Sequence, residues 1–169
     1  PYEMVRKYGA DAFRYFLLRE VSFKLDGDFS EKELIKRANS ELADKLGNLL
    51  NRSLGMLGKY FAGVVPAPGP SEPADAVLSN CGREGVPAVA AAMDEVAFHK
   101  AIAAIIELVT KGNEYVQSMQ PWALAKDPGK RARLGTVLYN ALEASRVAAL
   151  LMAPFTPTAA QRLWEALVP

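Results

Sequence analysis

Ser40-Glu-Leu-Ala-Asp-Lys-Leu-Gly-Asn-Leu-Leu-Asn-Arg-Ser-Leu-Gly-Met-Leu-Gly-Lys-Tyr-Phe61 is the stretch that decides the fold class. At the helical repeat of about 3.6 residues per turn, Leu42, Leu46, Leu49, Leu50, Ser53, Leu57 and Tyr60 crowd one side. Glu41, Lys45, Asn48, Arg52, Gly55 and Lys59 line the other. Upstream, Ser30 is placed as an N-cap, with Glu33 three residues on to complete a capping box and Phe29 and Leu34 set as a hydrophobic staple. The spacing therefore predicts a helix from Ser30 to about Phe61. Gly55 and Gly58 weaken it by about 1 kcal/mol each relative to alanine and mark places where another backbone can come close.

Outward from this helix the patterning stays helical and the strand signal is poor. Tyr2 to Lys7 and Ala10 to Val21 read as two helices separated by Gly9, the second with Phe13, Phe16, Leu17 and Val21 on its apolar face. Lys24 and Gly27 then break the pattern. Pro66, Pro68, Pro70 and Pro73 make Gly63 to Pro73 a connector that cannot be helix, and the apolar helix before it needs a partner. Met93 to Met119 supplies one through Phe98, Ile102, Ile105, Ile106 and Val109. A further helix over about Gly129 to Met152 carries Leu134, Leu138, Leu142, Val147 and Leu151. Pro154 and Pro157 end it, and Thr158 to Val168 makes a last short helix with Trp164. The expected fold is all-α, a helical bundle over residues 29–169 with a short helical preface over 1–28; residues 63–92 form a Pro-rich connector and the segment after it.

Composition bounds the function classes. With 169 residues, half of them hydrophobic, the chain can bury an ordinary core in one or two units. Its net charge of +1 lacks the strong basic excess usual for a nucleic-acid binder. The balance is uneven, since Lys and Arg exceed Asp and Glu before residue 64 and after residue 117, and the reverse holds between. A single cysteine, Cys81, excludes an internal disulfide and cannot build a thiolate zinc site. No apolar run reaches the roughly 20 residues that cross a bilayer, and nothing reads as a signal peptide, so no membrane partner and a cytoplasmic location are expected.

Catalytic chemistry finds no support. Glu95 and His99 are four apart, whereas a di-iron pattern needs Glu and His three apart on each of two helices, and His99 is the only histidine. Tyr15, Tyr115 and Tyr139 read as core or boundary aromatics, and Asp11 and Arg14, three apart, as a local ion pair worth a few tenths of a kcal/mol. No catalytic residue, metal site or cofactor is assigned.

Binding chemistry finds more. Asn48 and Arg52 share a helix face; arginine offers only donors and an asparagine amide a donor and an acceptor, so together they match O2, N3 and N4 of a cytosine but not the edge of a uracil. A solvated polar face is the alternative. Trp122 follows Pro121 at a helix boundary, where an indole is either a core residue or a stacking platform for an unpaired base. Lys126, Lys130, Arg131 and Arg133 cluster just after it, as phosphate contacts or as a solvated helix start.

Four motifs carry a family resemblance that covers nearly the whole chain. Tyr8-Gly-Ala-Asp-Ala-Phe-Arg-Tyr-Phe-Leu-Leu-Arg-Glu20, Gly27-Asp-Phe-Ser-Glu-Lys-Glu-Leu34, Gly47-Asn-Leu-Leu-Asn-Arg-Ser53 and Gln120-Pro-Trp-Ala-Leu-Ala-Lys126 resemble the C-terminal, anticodon-binding region of methionyl-tRNA synthetases, class I aminoacyl-tRNA synthetases. The resemblance implies that Asn48 and Arg52 read the first anticodon base, cytosine, of a methionine tRNA with a CAU anticodon, and that Trp122 stacks on it. It further implies that the first motif, similar to the stretch after the family's Lys-Met-Ser-Lys-Ser loop, is a stem-contact element. A catalytic domain not contained in this sequence would then carry out ATP-dependent aminoacylation, with ATP, and zinc as a candidate, as its cofactors. The alternatives are a stand-alone helical scaffold and the equivalent region of an isoleucyl-, valyl-, leucyl- or cysteinyl-tRNA synthetase.

Overall fold

The computed structural model describes residues 1–20 and 29–167. Among the described residues there are helices and no strands. In chain order they are α1 (Tyr2–Tyr8), α2 (Ala10–Glu20), α3 (Glu31–Arg37), a π-helical segment (Ala38–Gly47), α4 (Asn48–Phe61), α5 (Pro73–Asp94), α6 (Phe98–Met119), the single turn α7 (Pro121–Leu124), a 3-10 turn (Pro128–Lys130), α8 (Arg131–Met152) and α9 (Pro157–Leu167). The expected ends at Val21 and Val168, the break at Lys24 and Gly27, and the boundary after residue 28 lie outside the described residues.

α6 is the axis of the bundle. Its buried side carries Ala101, Ile102, Ile105, Ile106, Leu108, Val109, Tyr115 and Val116, and α5, α8, α4 and α2 pack around it. Tyr15 of α2 is fully buried in the same cluster, so the preface and the bundle share one core. α8 gives its opposite faces to α4 and α9 and to α5 and α6, which is why Val137, Leu138, Ala141, Ala148 and Met152 are all fully buried.

Several local features depart from the sequence expectation. The predicted Ser30–Phe61 helix does start as expected, with Ser30 Oγ accepting from the Glu33 amide at 3.4 Å, but the Glu33 carboxylate turns to Lys36. Its middle winds as a π-helix from Ala38 to Gly47. Bonds from i to i+5 take more residues per turn than the α-helix, so Glu41 does not stay on the face of Asn48 and Arg52. It is instead buried, accepting from the Tyr15 hydroxyl and pairing with Arg19 at 3.3 Å and Arg37 at 3.1 Å. Burial pushes the Glu41 carboxyl up, yet these three donors outweigh it and hold it below the usual carboxylate range.

The segment after the connector is a full helix. α5 spans Pro73–Asp94 with Pro73 in its first turn, and the carboxylates of Glu72 and Asp75 reciprocally cap its start. Asp75, Leu78, Val89 and Ala92 are its buried positions. Gly82 lies between them on the same seam, and a Cβ there would sit 3.8 Å from Leu108. Pro87 lies inside the helix and costs it a hydrogen bond, which tertiary packing along the seam overrides. The connector before it lies along α8: Gly69 N–H donates to Thr136 Oγ1 at 2.8 Å, and a Cβ on Gly135 would come within 3.2 Å of Pro66. The predicted helix over Met93–Met119 starts only at Phe98, because Val96 adopts a left-handed φ of 57° in the turn from α5.

Asp11 and Arg14 do not pair with each other. Asp11 accepts the Ala159 amide at 2.6 Å and caps the start of α9, while Arg14 donates to the Pro154 carbonyl at 2.9 Å, where α8 has ended. A carboxylate facing orphan amides and a guanidinium facing a free carbonyl are both used better than in an exposed intrahelical pair.

Candidate nucleic-acid interface

Asn48 is the first residue of α4 and Arg52 lies one turn on; both are half-buried. α6 runs beside them in the same direction and sets Asn113 opposite Asn48 and Gln117 opposite Arg52. Asn48 Nδ2 donates to Asn113 Oδ1 at 3.0 Å, and Arg52 Nη2 donates to Gln117 Oε1 at 3.3 Å. The close approach of these helices depends on Gly112, since a Cβ there would meet Leu49 Cδ2 at 2.7 Å. Gly55 and Gly58, expected to admit a neighbouring backbone, have nothing within 4 Å of a Cβ.

The amide orientations follow from the backbone. Asn113 Nδ2 donates to the carbonyls of Lys45 at 3.0 Å and Val109 at 3.1 Å, so its oxygen must face Asn48. Asn48 meets that oxygen with its amide nitrogen, which leaves Asn48 Oδ1 as an acceptor without a partner among the described residues. Arg52 keeps its Nε and Nη1 donors unbonded among the described residues. These groups line an open groove of about 560 Å³ with Asp44, Lys45 and Asn113. Arg52 also lies over the Trp122 indole, 5.6 Å from guanidinium carbon to ring centroid, and so joins the groove to the aromatic face.

Trp122 stands out from α7 with 36% of its surface exposed, while Pro121 before it is buried and Leu124 packs against the core. The structure thus brings Asn48, Arg52 and Trp122 together. The basic cluster behaves less uniformly. Lys126 is exposed, Lys130 is exposed and 3.9 Å from Asp127, and Arg131 lies 4.7 Å above the Phe61 ring. Arg133 is a correction to the expected phosphate contacts. Its guanidinium turns inward to Asp75, at 2.6 and 3.0 Å, because that buried carboxylate needs a counter-charge.

The sequence does not single out Asn113 and Gln117, although both stand on a predicted helix at the same four-residue spacing as Asn48 and Arg52, nor does it single out Asp75. Among the described residues His99 is half-buried with no partner for Nδ1, and no group of three or more His, Cys, Asp or Glu able to hold a metal occurs there. No described helix is long and apolar enough to cross a membrane.

Comparison with known proteins decides the family. The family model for the anticodon binding domain of methionyl tRNA ligase matches residues 65–169, and that for class I tRNA synthetases (M) matches residues 1–54. The chain belongs to the methionyl-tRNA ligase family. It is 47% identical over 167 residues to the methionine–tRNA ligase of Caldanaerobacter subterraneus subsp. tengcongensis, covering 99% of this chain and 26% of that protein. It is 42% identical over 168 residues to that of Halalkalibacterium halodurans, with the same coverage of 99% and 26%. The apo form of Mycobacterium tuberculosis methionyl-tRNA synthetase superposes with a TM-score of 0.92 at 39% identity, over 95% of this chain and 33% of that one. The chain spans about a quarter of the length of the curated relatives it matches.

Proposed function

We propose that this chain is the anticodon-reading region of a methionine–tRNA ligase and that Asn48 and Arg52 select cytosine at the first anticodon position while Trp122 stacks on it. The observation that carries the reading is the direction of the Asn48 amide. Fixed through Asn113 by two backbone carbonyls, it presents an oxygen to the groove, and Arg52 beside it presents only N–H groups. A cytosine edge supplies the complement, with the N4 amino group donating to Asn48 Oδ1 and the O2 and N3 acceptors facing Arg52. Uracil would set its O4 acceptor against Asn48 Oδ1 and its N3–H against the guanidinium.

The exposed indole face adds sequence-independent affinity by stacking, and Lys126, Lys130 and Arg131 supply phosphate contacts that position the loop. The remainder of the ligase performs ATP-dependent aminoacylation of the methionine tRNA, in the cytoplasm. The test is binding of anticodon stem-loops carrying cytosine or uracil at the first position to the wild type and to Arg52→Gln. The wild type should prefer cytosine. The variant should lose roughly 1–3 kcal/mol toward the cytosine loop, the value of a good base-edge contact, with its unfolding midpoint nearly unchanged. A wild type indifferent to the base refutes the reading.

A further inference from the structure

Trp122 rides on a short segment between the end of α6 at Met119 and the start of α8 at Arg131. Gln120 leaves α6 in a left-handed conformation, φ 46° and ψ 58°, and α7 is a single turn. One turn of helix does not hold its own geometry in water. The direction of the indole therefore depends on the packing of Pro121 and Leu124 and on how the ends of α6 and α8, which carry that packing, are held together behind it.

One buried carboxylate holds them. Asp75, in the first turn of α5 and 4% exposed, takes two bonds from Arg133 of α8 and one from the Tyr115 hydroxyl of α6. Asn140 of α8 donates to the same hydroxyl at 3.2 Å, and Arg133 Nη2 lies 3.2 Å from Met119 Sδ at the very start of the segment. Apolar packing alone would join these helices but leave them freer to slide; bonds converging on a desolvated carboxylate fix distance and angle together.

We propose that Asp75, Tyr115 and Arg133 are positioning residues for Trp122, locking the helix ends so that the indole stands at stacking height beside Arg52 before RNA arrives. This rests on the reading in which Trp122 stacks on an anticodon base. Preorganising the platform removes the cost of ordering it on binding.

The test is a double-mutant cycle on the full-length protein, with a labelled anticodon stem-loop carrying cytosine at the first position as the probe. Tyr115→Phe keeps the ring and the Asp75–Arg133 pair and removes the hydroxyl's two links from α6, to Asp75 of α5 and to Asn140 of α8. It should weaken loop binding roughly fivefold, within the range of indirect coupling effects, and speed hydrogen exchange over residues 120–130. In a Trp122→Ala background the same substitution should cause no further loss of affinity. Equal losses in both backgrounds would overturn the proposal, because the network would then act on the fold and not through the indole. Unchanged binding by Tyr115→Phe, with Trp122→Ala impaired, overturns it and leaves the anticodon reading standing. Normal binding by Trp122→Ala removes both. Asp75→Asn serves as a second, stronger perturbation, and should it fail to fold, Tyr115→Phe still decides the outcome.

Discussion

Acid should remove a definable share of this domain's stability through Asp75. Burial pushes its carboxyl up, but the Arg133 guanidinium, the Glu72 amide and the Tyr115 hydroxyl outweigh burial and hold it at about 2, against an ordinary value of 3.8. Because the folded value is the lower one, the unfolded chain takes up the proton first as the pH falls. The stabilisation is therefore complete above the unfolded value and is lost as pH falls through about 4 toward 2. At about 1.4 kcal/mol for each pH unit between the two values, it amounts to roughly 2–3 kcal/mol at neutral pH. The assay is urea unfolding of the wild type and Asp75→Asn across this range. Asparagine keeps the volume and cannot titrate, and Glu41, whose carboxyl is also held low, changes alike in both proteins. The stability difference should be largest near pH 7 and fall to about half by about pH 3. A difference that stays constant, or grows toward acid, would refute the account of Asp75 as an ionised, donor-stabilised carboxylate.

Three further substitutions probe single contacts. Ser53→Ala should raise stability by about 1 kcal/mol in thermal unfolding, since Ser53 Oγ is fully buried without a partner among the described residues and its removal relieves a desolvation cost. Gly112→Ala should lower the unfolding midpoint despite its better helix propensity, because Leu49, 1% exposed, has little room to move from a Cβ at 2.7 Å, and overpacking costs about 1–3 kcal/mol. Asp11→Ala should cost about 1 kcal/mol by uncapping α9, with faster hydrogen exchange confined to the first turn after Pro157.

The candidate site was readable to the extent that it rests on local spacing. Asn48 and Arg52 lie one turn apart on any helix, and Pro121 had to break the pattern just before Trp122, so the chemistry of three residues could be assigned without coordinates. Asn113 and Gln117 carried the same spacing, but nothing in the sequence says which helix lies alongside which. Arg133 went the other way. Next to Lys126, Lys130 and Arg131 it reads as one more exposed cation, and only the placement of Asp75, separated from it by most of α5 and α6, turns it inward.

The sequence by itself determined that the chain is helical, that α4, α6 and α8 have apolar faces requiring partners, and that a polar pair and a tryptophan are available for an unpaired base. These follow from the helical repeat and from proline, which act over a turn or two. The tertiary structure decided what depends on burial between distant segments. It made a helix of Pro73–Asp94, whose glycines and internal proline argue against one until packing on α6 and α8 is included. It wound Ala38–Gly47 as a π-helix and carried Glu41 from the polar stripe into a pocket of donors. It also turned the Asn48 amide, since two backbone carbonyls fix Asn113 and Asn113 fixes Asn48. Hydrogen-bond direction is a property of neighbours in space, and the chain order does not contain it.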